Sequence, residues 1–231
     1  MLPTLRPDLN KYLYLRDPQA TELGRRVLAA SVRLFDEIGF EAFTFKKLGA
    51  VLGSPEASIY RYFENKQRLL SYLMSWHWAW LSFRVRVALH NVADPRQRLR
   101  HALVAICQAS VDDPATPDFD EAALYRVVVA EASKAYLTKD VDADNRVGLF
   151  REYKQLVADL VPVVQAVNPT YAHSHALVST LLESARNQYF FARHLPSLTD
   201  PGTDVRTFLE HLALAALAAP SPCPPDQLVV S

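Results

Sequence analysis

Between Glu56 and Tyr62 lie side chains suited to a base edge or a phosphate. Read as a helix from Pro55 to Phe63, the stretch PEASIYRYF turns Ile59 and Phe63 inward as an i, i+4 pair. Glu56, Ala57, Ser58, Arg61 and Tyr62 are then left outward. Small side chains at 57 and 58 let the first turn approach a groove closely, and Ala57 offers its methyl group to a thymine methyl. Arg61 has donors for guanine or for a phosphate. Glu56 has two readings. Near a helix N-terminus an acid complements the dipole; in a groove it accepts from a cytosine amino group. Repulsion between an acid and phosphate favours the dipole role.

Other constellations point away from catalysis. His173 and His175 stand two residues apart on a helix, so their side chains diverge by about 200° and cannot share a metal. His77, His90, His101, His194 and His211 are scattered, with no acid or thiol at ligand spacing. Glu131, Glu152 and Glu183 are carboxylates on expected helices, but the Glu-x-x-His motif of a di-iron bundle is missing. There is no glycine-rich phosphate loop and no GxSxG elbow. Cys107 and Cys223 suggest neither a disulfide framework nor a metal site. The expectation is a non-enzyme without metal or cofactor.

The elements that must position residues 56–62 are legible upstream. Leu23, Val27, Ala30, Leu34 and Phe35 recur at helical spacing, and Gly39 closes that first helix with a left-handed cap. Thr44 caps a second helix, FKKLGAVL, whose Leu48, Val51 and Leu52 face the core; Gly53 ends it. Ser54-Pro55 reads as a cap oxygen followed by proline at the first position of a third helix. Helix, tight turn, helix is the layout of a helix-turn-helix, whose second helix enters the major groove.

Gly39-Phe40, Thr44, Leu48-Gly49, Gly53, the run Ala57 to Phe63, Asn65-Lys66 and Leu69-Leu70 together resemble the N-terminal signature of the tetracycline-repressor (TetR) family of bacterial transcription regulators. The resemblance covers about 50 residues, and several independent positions fall in register. It implies that Thr44, Ser58, Tyr60 and Lys66 hold phosphates, contacts that set register and carry no sequence information. Ser54 and Pro55 depart from the family pattern, and are read as the cap moved back one residue.

After Asn65 a long helix is expected to about His90, with Leu69, Leu73, Trp76, Trp80, Phe83 and Val87 as one apolar stripe. The other face reads Ser71, Ser75, Trp78, Ser82; Trp78 either packs on the first helix or is exposed, and packing is favoured. The resemblance makes this helix the link between head and body, moved by a ligand. Five more helices are expected near 95–111, 119–137, 143–167, 169–194 and 204–219, with a kink at Pro162. The fold class is all-α: an N-terminal three-helix helix-turn-helix domain followed by a helical ligand-binding and dimerisation domain. The divisions are an arm at 1–19, a DNA-binding domain at 20–66, a body at 67–219 and a flexible tail at 220–231.

In 205–219 the run FLEHLALAALAA is apolar nearly all round, and 176–192 carries two apolar faces. Such helices need cover on more than one side, so a homodimer through the last two helices is expected. An isologous dimer presents two recognition helices about 34 Å apart and calls for a palindromic site in double-stranded DNA. In the body, aromatic residues are usually core. A ligand-responsive body nevertheless has candidates in Trp76, Trp80, Phe83, Tyr125, Phe150, Tyr153 and Tyr189, which suit a hydrophobic or planar small-molecule effector.

The chain is neutral overall, but residues 1–90 hold 13 Lys and Arg against 8 Asp and Glu, giving a basic front. The arm has two readings. Either Arg6, Lys11 and Arg16 reach along a minor groove, or, as is favoured, the arm is disordered or packs on the chain's own body through Tyr12, Leu13, Tyr14 and Leu15. The first residues show no charged-then-apolar leader, and no apolar run approaches the ~20 residues of a membrane span. A cytoplasmic protein without membrane contact is expected. The leading reading is a dimeric, ligand-released DNA-binding repressor. The alternative is a helical dimeric adaptor that acts through protein partners without specific DNA binding.

Overall fold

The computed structural model describes residues 6–112, 120–200, 202 and 204–218. The expected tail at 220–231 with Cys223, residues 1–5 of the arm and the start of the helix expected at 119 lie outside the described residues. Among the described residues there are ten α-helices and no strand, so the fold is all-α. The chain divides into two compact units: Met1–Val87 with Gln108–Leu156, and Ala88–Cys107 with Val157–Ser231.

The first unit holds α1 (Glu22–Ala42), α2 (Phe45–Leu52), α3 (Glu56–Tyr60), nearly all of α4 (Lys66–Ala88), α6 (Glu121–Tyr136), α7 (Val141–Arg146) and the start of α8 (Arg151–Val167). Each head helix starts or stops where local chemistry requires it. Thr21 accepts from the Gly24 N–H at 3.0 Å to open α1, and Gly39 breaks its last turn with φ 72°. Thr44 accepts from the Lys47 N–H at 3.2 Å, and left-handed Gly53 closes α2. The core beneath these helices is aromatic. Phe35 stacks on Phe43 with centroids 3.9 Å apart, and Leu48, Ile59 and Phe63 are fully buried beside them.

Two expectations about α3 are corrected. Ser54 is not its cap and Pro55 is not its first residue: Pro55 occupies the N-cap with ψ 143°, no side chain caps the helix, and the Ser54 N–H donates to Gly49 O at 3.0 Å. The helix is five residues long rather than nine, because Arg61 and Tyr62 turn out of it. Gly49 allows this tight passage: a Cβ there would stand 2.7 Å from Ser54 O.

α4 is buried on more than its expected stripe. Ser71, Ser75, Trp78 and Ser82 are all buried, whereas Phe83 and Val87 at the far end of the stripe are exposed. Trp78 packs as favoured, but on other partners than α1. Its indole N–H donates to the Tyr136 hydroxyl on α6, and its ring stacks on Tyr153 of α8 at 4.6 Å. The single helix expected at 143–167 is two, α7 and α8, separated by a turn at Gly148 with φ 78°.

In the second unit, α5 (Pro95–Cys107), the rest of α8 with Pro162 inside it, α9 (Ser174–His194) and α10 (Val205–Ala218) surround Leu103, Val164, Val178 and Leu181. Burial pushes the Cys107 thiol up to about 11, so it stays protonated at neutral pH. α9 buries both of its apolar faces up to Ala185. α10 buries Leu209, Ala213 and Leu217 but leaves Phe208 and Leu212 exposed. No described helix is long and apolar enough to cross a membrane.

Gly49→Ala is expected to cost about 1–3 kcal/mol, because the new methyl meets the backbone of Ser54 and cannot be accommodated by a rotamer change. Chemical denaturation measures this. An unshifted midpoint would show that α2 and the following turn are free to separate.

Candidate nucleic-acid interface

Of the residues expected to meet DNA, Ala57, Tyr60 and Arg61 are exposed, with Glu56 and Ser58 half-buried beside them. Tyr60 is 48% exposed, and its ring stands edge-on to Phe45 at 4.9 Å, so the phenol is steered from below by α2. Thr44 is exposed at the start of α2, its hydroxyl oxygen already engaged as the cap. Arg61 has no hydrogen bond or ion pair among the described residues and is available to a partner.

Two expected contacts are corrected. Tyr62 is buried, at 2% exposure, not outward. Its hydroxyl shares a 2.7 Å hydrogen bond with Thr21, its carbonyl accepts the Leu15 N–H at 2.8 Å, and the Arg16 guanidinium lies 5.8 Å over its ring. The helical periodicity that placed it outside stops at Tyr60, so the chain turns its ring back under the head. Lys66 is the second. Its ammonium donates to the carbonyls of Phe40, Glu41 and Phe43 at 2.8, 3.2 and 3.3 Å. Three N–H donors meet three acceptors at the C-terminal end of α1, where a cation is favoured by the helix dipole. The role this geometry supports for Lys66 is structural.

Cations that the pattern reading passed over are Arg33 on α1 and Lys46 on α2, both exposed and without an ion pair among the described residues. The signal for Lys46 was its position two residues after the Thr44 cap. Asp36 of α1 is tied to Arg126 of α6 by hydrogen bonds of 3.0, 3.1 and 2.7 Å. Glu131 of α6 accepts the Phe40 N–H at 2.9 Å. These contacts join α1 to α6 within the first unit.

Three of the seven aromatic residues expected around an effector are buried in the core. Trp76 and Trp80 are buried with parallel rings 6.4 Å apart, and Tyr125 is buried against His77. Phe150 and Tyr153 close on Tyr136, leaving about 10 Å³, room for no more than a water. Phe83 is different: it is 38% exposed and lines an open cleft of about 250 Å³. Tyr189 lies in the second unit, half-exposed under the Arg193 side chain.

The head is a helix-turn-helix of the kind that presents α3 to DNA. Residues 27–73 match the model of a family described as bacterial regulatory proteins, tetR family. The resemblance drawn from Gly39 to Leu70 is thereby confirmed over those residues. No curated protein matches the chain significantly in sequence. Solved structures share the fold. A tetR-family regulator from Rhodococcus RHA1 superposes with a TM-score of 0.61 at 15% identity, covering 85% of this chain and 96% of the other. AibR, solved with isovaleryl coenzyme A and operator DNA, gives 0.57 at 15% identity, covering 84% and 97%. The superantigen PfiT gives 0.58 at 18% identity, covering 89% and 100%.

Tyr62→Phe removes a buried hydrogen bond and is expected to lower stability by about 1 kcal/mol. Tyr60→Phe, on an exposed phenol, should leave it within about 0.5 kcal/mol. Thermal unfolding of both variants checks the assignment; equal effects would contradict the inward placement of Tyr62.

Proposed function

We propose that the protein is a transcriptional repressor that binds a palindromic operator as a homodimer and is released by a small molecule. The observation that carries this reading is the exposed edge of Ala57, Tyr60 and Arg61 on a rigidly packed head, with Thr44 and Lys46 close in sequence on α2. Ala57 and Arg61 read bases, whereas Thr44, Ser58 and Tyr60 hold phosphates. Lys46 takes the phosphate role first expected of Lys66, because Lys66 is engaged on α1.

Dimerisation through α9 and α10 is supported by α10. Its inner face is satisfied within the chain, while Phe208 and Leu212, an i, i+4 pair, stand exposed. Apolar area of that kind on a packed helix fits a second copy of the same surface. A ligand-responsive body is supported by the cleft beside Phe83. AibR, of the same fold, has been solved with both an acyl-coenzyme A and operator DNA, a pairing of ligand and operator that fits this reading.

Affinity for duplex DNA should fall steeply as salt rises; Lys46→Ala should reduce the slope of log affinity against log salt by about one per protomer, whereas Arg61→Ala should change which sequence is preferred. A salt-independent affinity would refute phosphate contact. Phe208→Glu combined with Leu212→Glu should convert a dimer to a monomer in sedimentation and weaken duplex binding at least about tenfold, because a dimer contributes two heads. A variant that stays dimeric would move the interface elsewhere.

A further inference from the structure

The cleft beside Phe83 is bounded by Pro7 and Asp8 of the N-terminal segment, by Phe83 and Arg86 of α4, and by Arg151 and Glu152 of α8. Glu152 is 7% exposed. One of its oxygens accepts from the Arg151 guanidinium at 2.8 and 2.9 Å; the other, Oε2, is buried and has no hydrogen-bond partner among the described residues. Burial of the carboxyl holds its pKa above the usual range. A buried acceptor left unmade is expensive, whereas the exposed Arg86, unpaired among the described residues, is open to water.

The missing group at Glu152 is therefore a donor, and its charge can be argued. Arg151 already neutralises the carboxylate, so a cationic ligand would add a second positive charge near Arg151 and Arg86. An anion would face Glu152 and Asp8. Oε2 is closed to solvent as it stands, so the carboxyl must turn to face the cleft; an uncharged hydroxyl or amide N–H then satisfies it without either penalty, and Phe83 and Pro7 offer apolar cover for a compact body.

We propose that this cleft is the site of an uncharged ligand that sets a hydroxyl or amide N–H on Glu152 and an apolar body on Phe83. The proposal rests on the reading of the body as ligand-responsive, and it also supplies a route to the head. The Arg151 guanidinium donates to Asp8 O at 2.5 Å, and Asn10 Nδ2 to Val147 O at 2.7 Å, so the N-terminal segment is fastened around the cleft. The same segment passes over Gly24, where a Cβ would stand 2.2 Å from Pro18 O. It reaches the turn after α3 through the 2.8 Å Leu15 N–H to Tyr62 O bond. A ligand that shifts Arg151 or Asp8 moves the strand of chain that holds Tyr62.

The test titrates the full-length protein with 2-phenylethanol, its methyl ether, 2-phenylethylamine and phenylacetate by ligand-observed NMR. The alcohol should bind at least about fivefold more tightly than the ether, which has the same body and no donor, and more tightly than either charged probe. The preference should survive Glu152→Gln, which keeps an acceptor oxygen, and vanish in Glu152→Ala. Phe83→Ala, a half-open position, should weaken all four probes. Saturating alcohol should also speed hydrogen exchange at the Leu15 amide. Equal binding of alcohol and ether, tighter binding of a charged probe, or a preference that persists in Glu152→Ala would overturn the ligand assignment. Unchanged exchange at Leu15 would overturn the route. Duplex binding at low salt, measured on the same protein, separates the two readings. Intact DNA binding without the probe preference defeats this inference alone; the probe preference without DNA binding defeats the repressor reading.

Discussion

A helix of five residues cannot hold itself. Isolated helices of that length are unstable in water, so α3 keeps its shape only because the residues inside and just after it are clamped from below. Ile59 and Phe63 enter the core beneath α1 and α2. Tyr62 is gripped three ways, by Thr21 at its hydroxyl, Leu15 at its carbonyl and Arg16 over its ring. The exposed residues Ala57, Tyr60 and Arg61 are thus carried on a short turn whose underside is fixed by contacts distant in sequence. A binding surface built this way is preorganised, and little conformational freedom remains to be lost when it docks.

The same clamp explains the parts around it. Thr21 serves both the start of α1 and the Tyr62 hydroxyl, so the first residue of the head and its last turn share one oxygen. Lys66 closes the far end of α1 and starts α4, tying the long helix to the head through three carbonyls. α6 adds the Arg126–Asp36 pair and the Glu131 carboxylate on the Phe40 N–H. Within the first unit, α1 is therefore held at both ends and along its side. A movement of α6 or of the N-terminal segment reaches the head through these groups.

How much of this was legible depends on the range of the forces involved. Thr44, Phe45–Leu52 and Gly53 were readable because capping and helix periodicity are local. The head as a whole was readable because its signature occupies contiguous positions. The extent of α3 was not: Ser54-Pro55 carries the local pattern of a cap and first turn, but the close approach at Gly49 pulls Ser54 into the preceding turn. Tyr62 followed from the same misreading, since helical facing has no meaning past the end of the helix. The body was legible only as helices. Nothing local tells that Trp78 meets Tyr136 and Tyr153 rather than α1, or that Phe150 and Tyr153 both close on Tyr136. The break at Gly148 was passed over because apolar spacing continues on both sides of it.

The claim at the centre is that this head reads DNA as one of a pair. The direct measurement is selection of binding sequences from a pool of random duplexes by the purified protein at low salt. The account predicts an inverted repeat whose half-sites lie about one helical turn apart, with the preferred bases changing when Ala57 or Arg61 is replaced. A pool that emerges with no enriched sequence would contradict it.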